Sequence, residues 1–452
     1  MRVHFIAIGG AVMHNLAIAL KLKGYEVSGS DDEIFEPSKS RLAEHGILPP
    51  EPGWHPERIT SDLDAVILGM HAREDNPELI RAKELGICVK SFPEYLYEQT
   101  KDKKRIIVAG SHGKTTVTAM IMHVFKTLGV KFDYMVGSII EGFDTMVGLS
   151  DDSEYAVFEG DEYLTSPLDR RPKIHIYMPD IAVLNGIAWD HKNVFPTFEN
   201  YVDQFRIFLT KITEGGTMIY YKDDVEVNRL AEELTRNVIK IPYTVHDYFQ
   251  TAQGTFLKVP SGNIKIQIFG RHNMQNIAAA KSVCEAIGIS DDDFYMAIST
   301  FTGTKKRLQQ LFESEKGVAY LDFAHSPSKV SATVDAIAER YPGRDIVACL
   351  ELHTFSSLSD DFLPLYKGTL DKATRPYVYF SHHALELKKL PPLSKDDVKK
   401  YFCNERLKVF DNSDEMFEEI KRAELNNPVV LFMSSGNFDG HDMTELAKKI
   451  LQ

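Results

Sequence analysis

KRIIVAGSHGKTTVT, residues 104–118, is the stretch on which the reading of the fold turns. Its apolar run ends at Ala109, Gly110 and Gly113 bracket a short polar loop, and Lys114, Thr115 and Thr116 open an apolar helix predicted to reach about Leu128. Strand, glycine loop and helix start in that order form the arrangement that cradles the phosphates of a nucleoside triphosphate. The glycines admit backbone angles and close approaches that a side chain would block. Amide N–H groups from Gly110 through Ser111, His112 and Gly113 can therefore face phosphate oxygens, with the positive end of the helix behind them. Lys114 adds a mobile positive charge for the outer phosphates, and the Thr115 hydroxyl is placed to ligate a bridging magnesium ion. His112 can orient the loop. Val108 stands where the longer form of this motif carries its first glycine, which leaves the shorter GxxGKTT.

A chain of 452 residues exceeds what one ordinary core organises, and 43% hydrophobic content supplies several. Its 65 acidic residues outnumber 52 basic ones for a formal charge of −13, which excludes a general attraction for nucleic acid or an anionic membrane. Any phosphorylated ligand must be captured locally. Cys88, Cys284, Cys349 and Cys403 are widely spaced, match no zinc or redox pattern, and read as free thiols in a reducing cytoplasm. No apolar stretch approaches the length of a membrane span, and the chain opens on a strand rather than a targeting segment.

Three α/β modules are expected, at 1–101, 102–304 and 305–452. The first opens with RVHFIAIGG, a strand from Val3 to Ile8 leading into Gly9 and Gly10, then an apolar helix and a second strand, EVSGSD, ending at Asp31. This is half of a nucleotide-binding βαβ pattern without the full glycine fingerprint, which favours one diphosphate group over a dinucleotide. In the second module AVFEGDEY (156–163) drives an apolar strand into Glu159, Asp161 and Glu162, and IAVLNGIAWDH (181–191) repeats the device with Asn185, Asp190 and His191. Polar groups at the carboxyl ends of strands face the crevice where such sheets bind ligands, so beside a phosphate loop they favour a magnesium site. FGRHNMQN (269–276) reads as a turn containing Arg271, His272 and Asn273, with Asn276 starting an alanine-rich helix. The third module begins with KKRLQQLFE and carries LDFAHSP (321–327), a strand ending at Asp322 before a polar turn through His325.

Taken in order, the amino-terminal glycine turn, AGSHGKTT, FEGDEY, NGIAWDH, GRHNMQN and DFAHSP resemble the Mur ligase family, the ATP-dependent amino-acid ligases of bacterial cell-wall precursor synthesis. The resemblance covers most of the chain. It implies a Rossmann-like amino-terminal domain for a UDP-sugar, a central P-loop ATPase domain, and a Rossmann-like carboxyl-terminal domain for the amine. Gly186 and Ala188 depart from a more polar form of their motif, Ser326 replaces a second histidine, and Asn437 and Asp439 stand where glycines are expected.

The implied reaction joins the lactyl carboxylate of UDP-N-acetylmuramate to an amine through an acyl phosphate, with ATP and Mg2+ as cofactors. Within the family, GSDDEIFEPSKSRLAEHGI, LDRRPKIHIYMP, LNGIAWDHKNVFP and MSSGNFDG favour the peptide L-alanyl-γ-D-glutamyl-meso-diaminopimelate, salvaged from the cell wall, as the amine. L-alanine is the alternative, and a nonenzymatic sugar-nucleotide sensor is a third reading. By resemblance Lys114 neutralises the transferred phosphoryl group, while Thr115, Glu159 and His191 hold the metal. Asn276 contacts adenine, His272 supports that pocket, Arg307 reaches phosphate with a fork that lysine lacks, Asp322 binds ribose, and His325 lies near ATP or the amine. Gly9, Gly10, Ser30 and Asp31 serve the UDP group, His71 and Asn76 its sugar pocket, and His353 with the 434–440 loop the acceptor.

Overall fold

Short runs of Val, Ile, Leu and Phe that are buried on both faces are best satisfied as interior strands of parallel sheets, and the described residues build three sheets that are parallel apart from an antiparallel edge strand in two of them. The computed structural model describes residues 1–70, 72–166, 168–190, 192 and 194–452. His71, Pro167, His191 and Asn193 lie outside that description, and with them the roles expected of His71 and His191. Two compact units form, the first from 1–187, 202–244 and 279–298, the second from 188–201, 245–278 and 299–452.

In the first unit a four-stranded parallel sheet runs in the order Glu26–Ser30, Arg2–Ile6, Ala65–Leu68, Val89–Ser91. Its first strand stops at Ile6 rather than Ile8 because Ala7 takes a positive φ of 66°, and the N–H groups of Ala7 and Ile8 both turn back to the Ser30 carbonyl. A seven-stranded sheet follows, in the order Ile239–Tyr243, Thr217–Tyr221, Ile181–Leu184, Lys104–Ala109, Tyr155–Glu159, Phe132–Met135, Val147–Gly148. Lys104–Ala109 is central, paired in parallel with Tyr155–Glu159 on one side and Ile181–Leu184 on the other, so the three polar strand ends named above meet at one edge. The two sheets are tied together where Asn15, on the helix Ala11–Leu22, accepts the Met146 N–H at 2.9 Å, and where Arg41 donates to the Asp144 carbonyl.

The second unit carries a six-stranded sheet ordered Gln309–Glu313, Val318–Asp322, Val429–Met433, Ile346–Leu352, Arg375–Phe380, Lys408–Phe410, parallel except for its first edge strand. A small antiparallel meander, Tyr248–Thr251, Gly254–Val259 and Gly262–Ile266, belongs to the same unit. The Tyr248 hydroxyl donates to Glu339 at 2.8 Å, Arg340 donates to the Thr251 carbonyl at 2.9 Å, and Phe269 packs edge-on against Tyr320. The helix expected to start at Asn276 instead spans Arg271–Ala286, which puts Arg271, His272 and Asn273 in its first turn. Among the described residues no helix is long and apolar enough to cross a membrane.

Candidate active site

The loop after Lys104–Ala109 is held from one side by the neighbouring strand end. Ser111 N–H donates to the Gly186 carbonyl at 2.9 Å and the Asn185 amide donates to the His112 carbonyl at 3.2 Å. Gly186 sits at φ 136°, and a Cβ there would meet His112 Nε2 at 2.6 Å, so the glycine provides the space in which the imidazole packs. Gly113, at φ 78°, leads into the helix Lys114–Thr127, whose N-terminus carries no side-chain cap. Its first N–H groups and the helix dipole are therefore left to an anion.

Lys114 folds back to the Gly110 carbonyl (2.8 Å) and to Glu162 Oε2 (2.7 Å). Burial alone would lower its pKa, but the charges of Glu162, Asp161 and Glu159 outweigh it and raise it. Thr115 Oγ1 donates to Glu159 Oε1 at 2.9 Å, while Glu159 Oε2 accepts from Gly137 N–H at 2.7 Å. Threonine hydroxyl and carboxylate oxygens side by side are hard donors of the kind Mg2+ takes, so Thr115 and Glu159 fit the role expected of them. Among the described residues no three His, Cys, Asp or Glu side chains converge as a metal site, and the expected third ligand, His191, is outside them. Asp161 is half-buried, and its desolvation raises its pKa, yet Lys173 at 2.7 Å and Lys114 together pull it down to about 2, so it stays ionised.

A cleft of about 230 Å3 joins this edge to the amino-terminal sheet. Ala7, Gly10, Met13, Met70 and Phe92 form its apolar side, and Gly137, Glu159, Asp161, Thr165 and Lys173 its polar end. Gly9 N–H donates to Asp31 Oδ2 at 2.7 Å, and a Cβ at Gly9 would sit 2.9 Å from that oxygen. Ser30 and Asp31 thus support the glycine turn from behind. Asn76 Oδ1 caps the helix Pro77–Glu84, accepting from Glu78 and Leu79 N–H.

Within the second unit Asp322 is buried and accepts from Leu308 N–H and Ala324 N–H, both at 2.7 Å, and from the Thr333 hydroxyl. It pins a turn in which Lys306 and Leu308, on either side of Arg307, have positive φ. The Arg307 guanidinium stacks on Phe323 at 4.9 Å and has no ion pair among the described residues. His325 gives Nδ1 to the Phe323 carbonyl at 2.8 Å, and burial, helped by Lys329, lowers its pKa to about 3. His272 is likewise lowered by burial, while Asn276 is buried with its amide toward Asn273. His353 follows the strand Ile346–Leu352, 3.5 Å from Glu351.

Three contributors escape a reading of the sequence by motif. Glu351 is buried in an apolar strand and organises the 434–438 loop, accepting from Ser434 Oγ and from Phe438 N–H at 3.0 Å. Lys173 and Thr165 lie on a loop after the acidic strand end; LDRRPKIHIYMP, which contains Lys173, marks the stretch by resemblance without singling out either side chain.

Comparison with known proteins matches residues 2–104 to the model described as Mur ligase family, catalytic domain, and 108–284 to the Mur ligase middle domain. The UDP-N-acetylmuramate–L-alanine ligase of Carboxydothermus hydrogenoformans is 33% identical over 371 residues, covering 79% of this chain and 77% of that protein. A solved UDP-N-acetylmuramate-alanine ligase from Thermotoga maritima aligns over 100% of this chain and 98% of its own, with TM-score 0.70 and 20% identity. A solved UDP-N-acetylmuramate:L-alanyl-gamma-D-glutamyl-meso-diaminopimelate ligase from Neisseria meningitides aligns over 67% of this chain and 99% of its own, with TM-score 0.60 and 25% identity.

Proposed function

This chain belongs to the Mur ligase family, and we propose that its reaction joins the lactyl carboxylate of UDP-N-acetylmuramate to L-alanyl-γ-D-glutamyl-meso-diaminopimelate. As a family member it is an ATP-dependent ligase that forms an amide bond, with ATP and Mg2+ as cofactors. The observation that carries the reading is one continuous cleft from the Gly10 turn to Glu159, whose carboxylate is hydrogen-bonded to Thr115 of the phosphate loop. A sugar nucleotide lying along it brings its acid to the phosphoryl donor.

Bound ATP–Mg2+ would supply the γ-phosphoryl group that turns an unreactive carboxylate into an acyl phosphate open to attack by an amine. The chain's own groups prepare that step. Lys114 carries charge toward the outer phosphates, Thr115 and Glu159 (with His191) hold the cation, and Gly9 and Gly10 admit the UDP diphosphate over a turn braced by Ser30 and Asp31. Asn276, His272, Arg307, Asp322 and His325 are assigned to the nucleotide, Arg307 on the strength of a guanidinium that stacks on Phe323 and has no ion pair among the described residues, and His353 to the acceptor.

The tripeptide is preferred because, beyond the L-alanyl amine that reacts, it carries several charged groups. At the strand ends of the second unit a polar pocket of about 420 Å3, lined by His382, His383, Asp411, Asp414, Asp439 and His441, offers both acidic and titratable partners. L-alanine is the second reading, favoured by the curated relatives at 28–33% identity, which carry that substrate in their names. Parallel incubations of the enzyme with ATP, Mg2+, UDP-N-acetylmuramate and either amine, read by product mass, decide between them. We expect the tripeptide-linked nucleotide; efficient use of L-alanine with rejection of the tripeptide overturns the choice.

A further inference from the structure

We propose that Lys173 and Thr165 bind the carboxylate that this ligase activates and so select a sugar acid over the plain sugar. The inference rests on the cleft taking a UDP-linked sugar acid, as proposed above. A carboxylate entering the polar end of that cleft meets Glu159 and Asp161, both of its own sign. Lys114 is committed to Glu162 and to the Gly110 carbonyl. Lys173 is the cation that lines the cleft among the described residues: its ammonium gives one N–H to Asp161 Oδ2 at 2.7 Å, and its other two donors have no acceptor among the described residues. Thr165 lines the same cleft, its side-chain oxygen buried and without a hydrogen-bond partner among the described residues, at 2% residue exposure. A buried hydroxyl left unpaired is costly, which marks it as waiting for a ligand atom.

The loop is built to hold these donors together. Leu164 and Pro172 form an isolated antiparallel bridge, Thr165 N–H donates to the Arg171 carbonyl at 2.9 Å, and Lys173 N–H donates to the Tyr163 carbonyl at 3.0 Å. Arg171 then ties the loop to Asp169 and to Glu94 on the helix Phe92–Thr100. Asp161 anchors the Lys173 ammonium from below. Two ammonium donors and one hydroxyl match the two oxygens of a carboxylate, and the apolar walls strengthen each bond by excluding water.

Calorimetric binding of UDP-N-acetylmuramate and UDP-N-acetylglucosamine to the full-length protein tests this, because the second ligand lacks only the lactyl acid. Wild type should prefer the acid. Lys173→Gln should weaken it roughly 10- to 100-fold, the scale of a lost charge-assisted hydrogen bond, and Thr165→Val roughly 3- to 10-fold, with the neutral sugar unaffected by either. Lys173→Arg should recover part of the loss, and in turnover Lys173→Gln should raise KM for the acid while leaving KM for ATP. Equal weakening of both ligands assigns Lys173 to the diphosphate or to folding and overturns the proposal. Unchanged affinity in Lys173→Gln overturns it while leaving the ligase reading intact, whereas a wild type that binds neither nucleotide removes that reading and the proposal with it.

Discussion

Lys114 and Glu162 stand 2.7 Å apart, with the glutamate side chain fully buried and the lysine 14% exposed. A pair so enclosed is expensive to break from one side, because the survivor stays charged and dry. Lys114→Met should abolish turnover and also lower unfolding stability by about 3 kcal/mol, whereas Lys114→Met with Glu162→Gln should regain most of the stability and none of the activity. Urea unfolding and ATP turnover of the two proteins check this. Lys114 is legible in the sequence from the spacing of GKTT alone. Glu162 shows there only as one of three acids at a strand end, since its partner lies 48 residues away and the pairing is set by two parallel strands lying side by side. Asp31 shows the same limit: its distance from the glycines suggests a ligand contact, and the fold spends one of its oxygens on the Gly9 N–H.

At the level of elements, the phosphate loop depends on a neighbour that no motif names. Gly186 interrupts the usual polar form of its stretch and reads in the sequence as a departure from pattern; in the fold its positive φ and missing Cβ admit the His112 ring. Gly186→Ala should strain that turn by about 1–3 kcal/mol and displace His112, raising KM for ATP while leaving sugar-nucleotide binding near its starting value. Thermal melts and the two KM values measure it. The helix start at Arg271 is masked in the sequence because Gly270, at φ 90°, and the polar run after it resemble a turn, and only the buried face of the finished helix shows where it begins. The strands were legible where they are apolar throughout, as in Ile181–Leu184 and Val429–Met433. The meander at 248–266 was not, since its half-exposed residues carry no such run.

Summed over the molecule, acid stability is set by groups that burial holds away from their ordinary charge. His325 titrates at about 3 in the fold against an ordinary 6.5, so as pH falls below 6.5 the unfolded chain takes up a proton that the folded chain refuses. Its contribution is fully present above 6.5 and is lost progressively toward 3, about 2 kcal/mol by about pH 5. His14, His123, His175 and His272 are lowered in the same direction, each chiefly by burial. Asp31 works against them: burial raises it to about 6 from 3.8, so the folded chain binds its proton first and gains stability as pH falls between those values. His325→Asn keeps a donor for the Phe323 carbonyl but removes the titration, and should flatten the loss of stability below pH 6.5. Asp31→Asn keeps an acceptor for Gly9 and should raise stability most above pH 6, with the advantage shrinking toward pH 4. Denaturant midpoints of wild type and both variants across that range should therefore diverge in opposite directions. Parallel curves for all three would mean that neither group is held by its surroundings as the buried geometry requires.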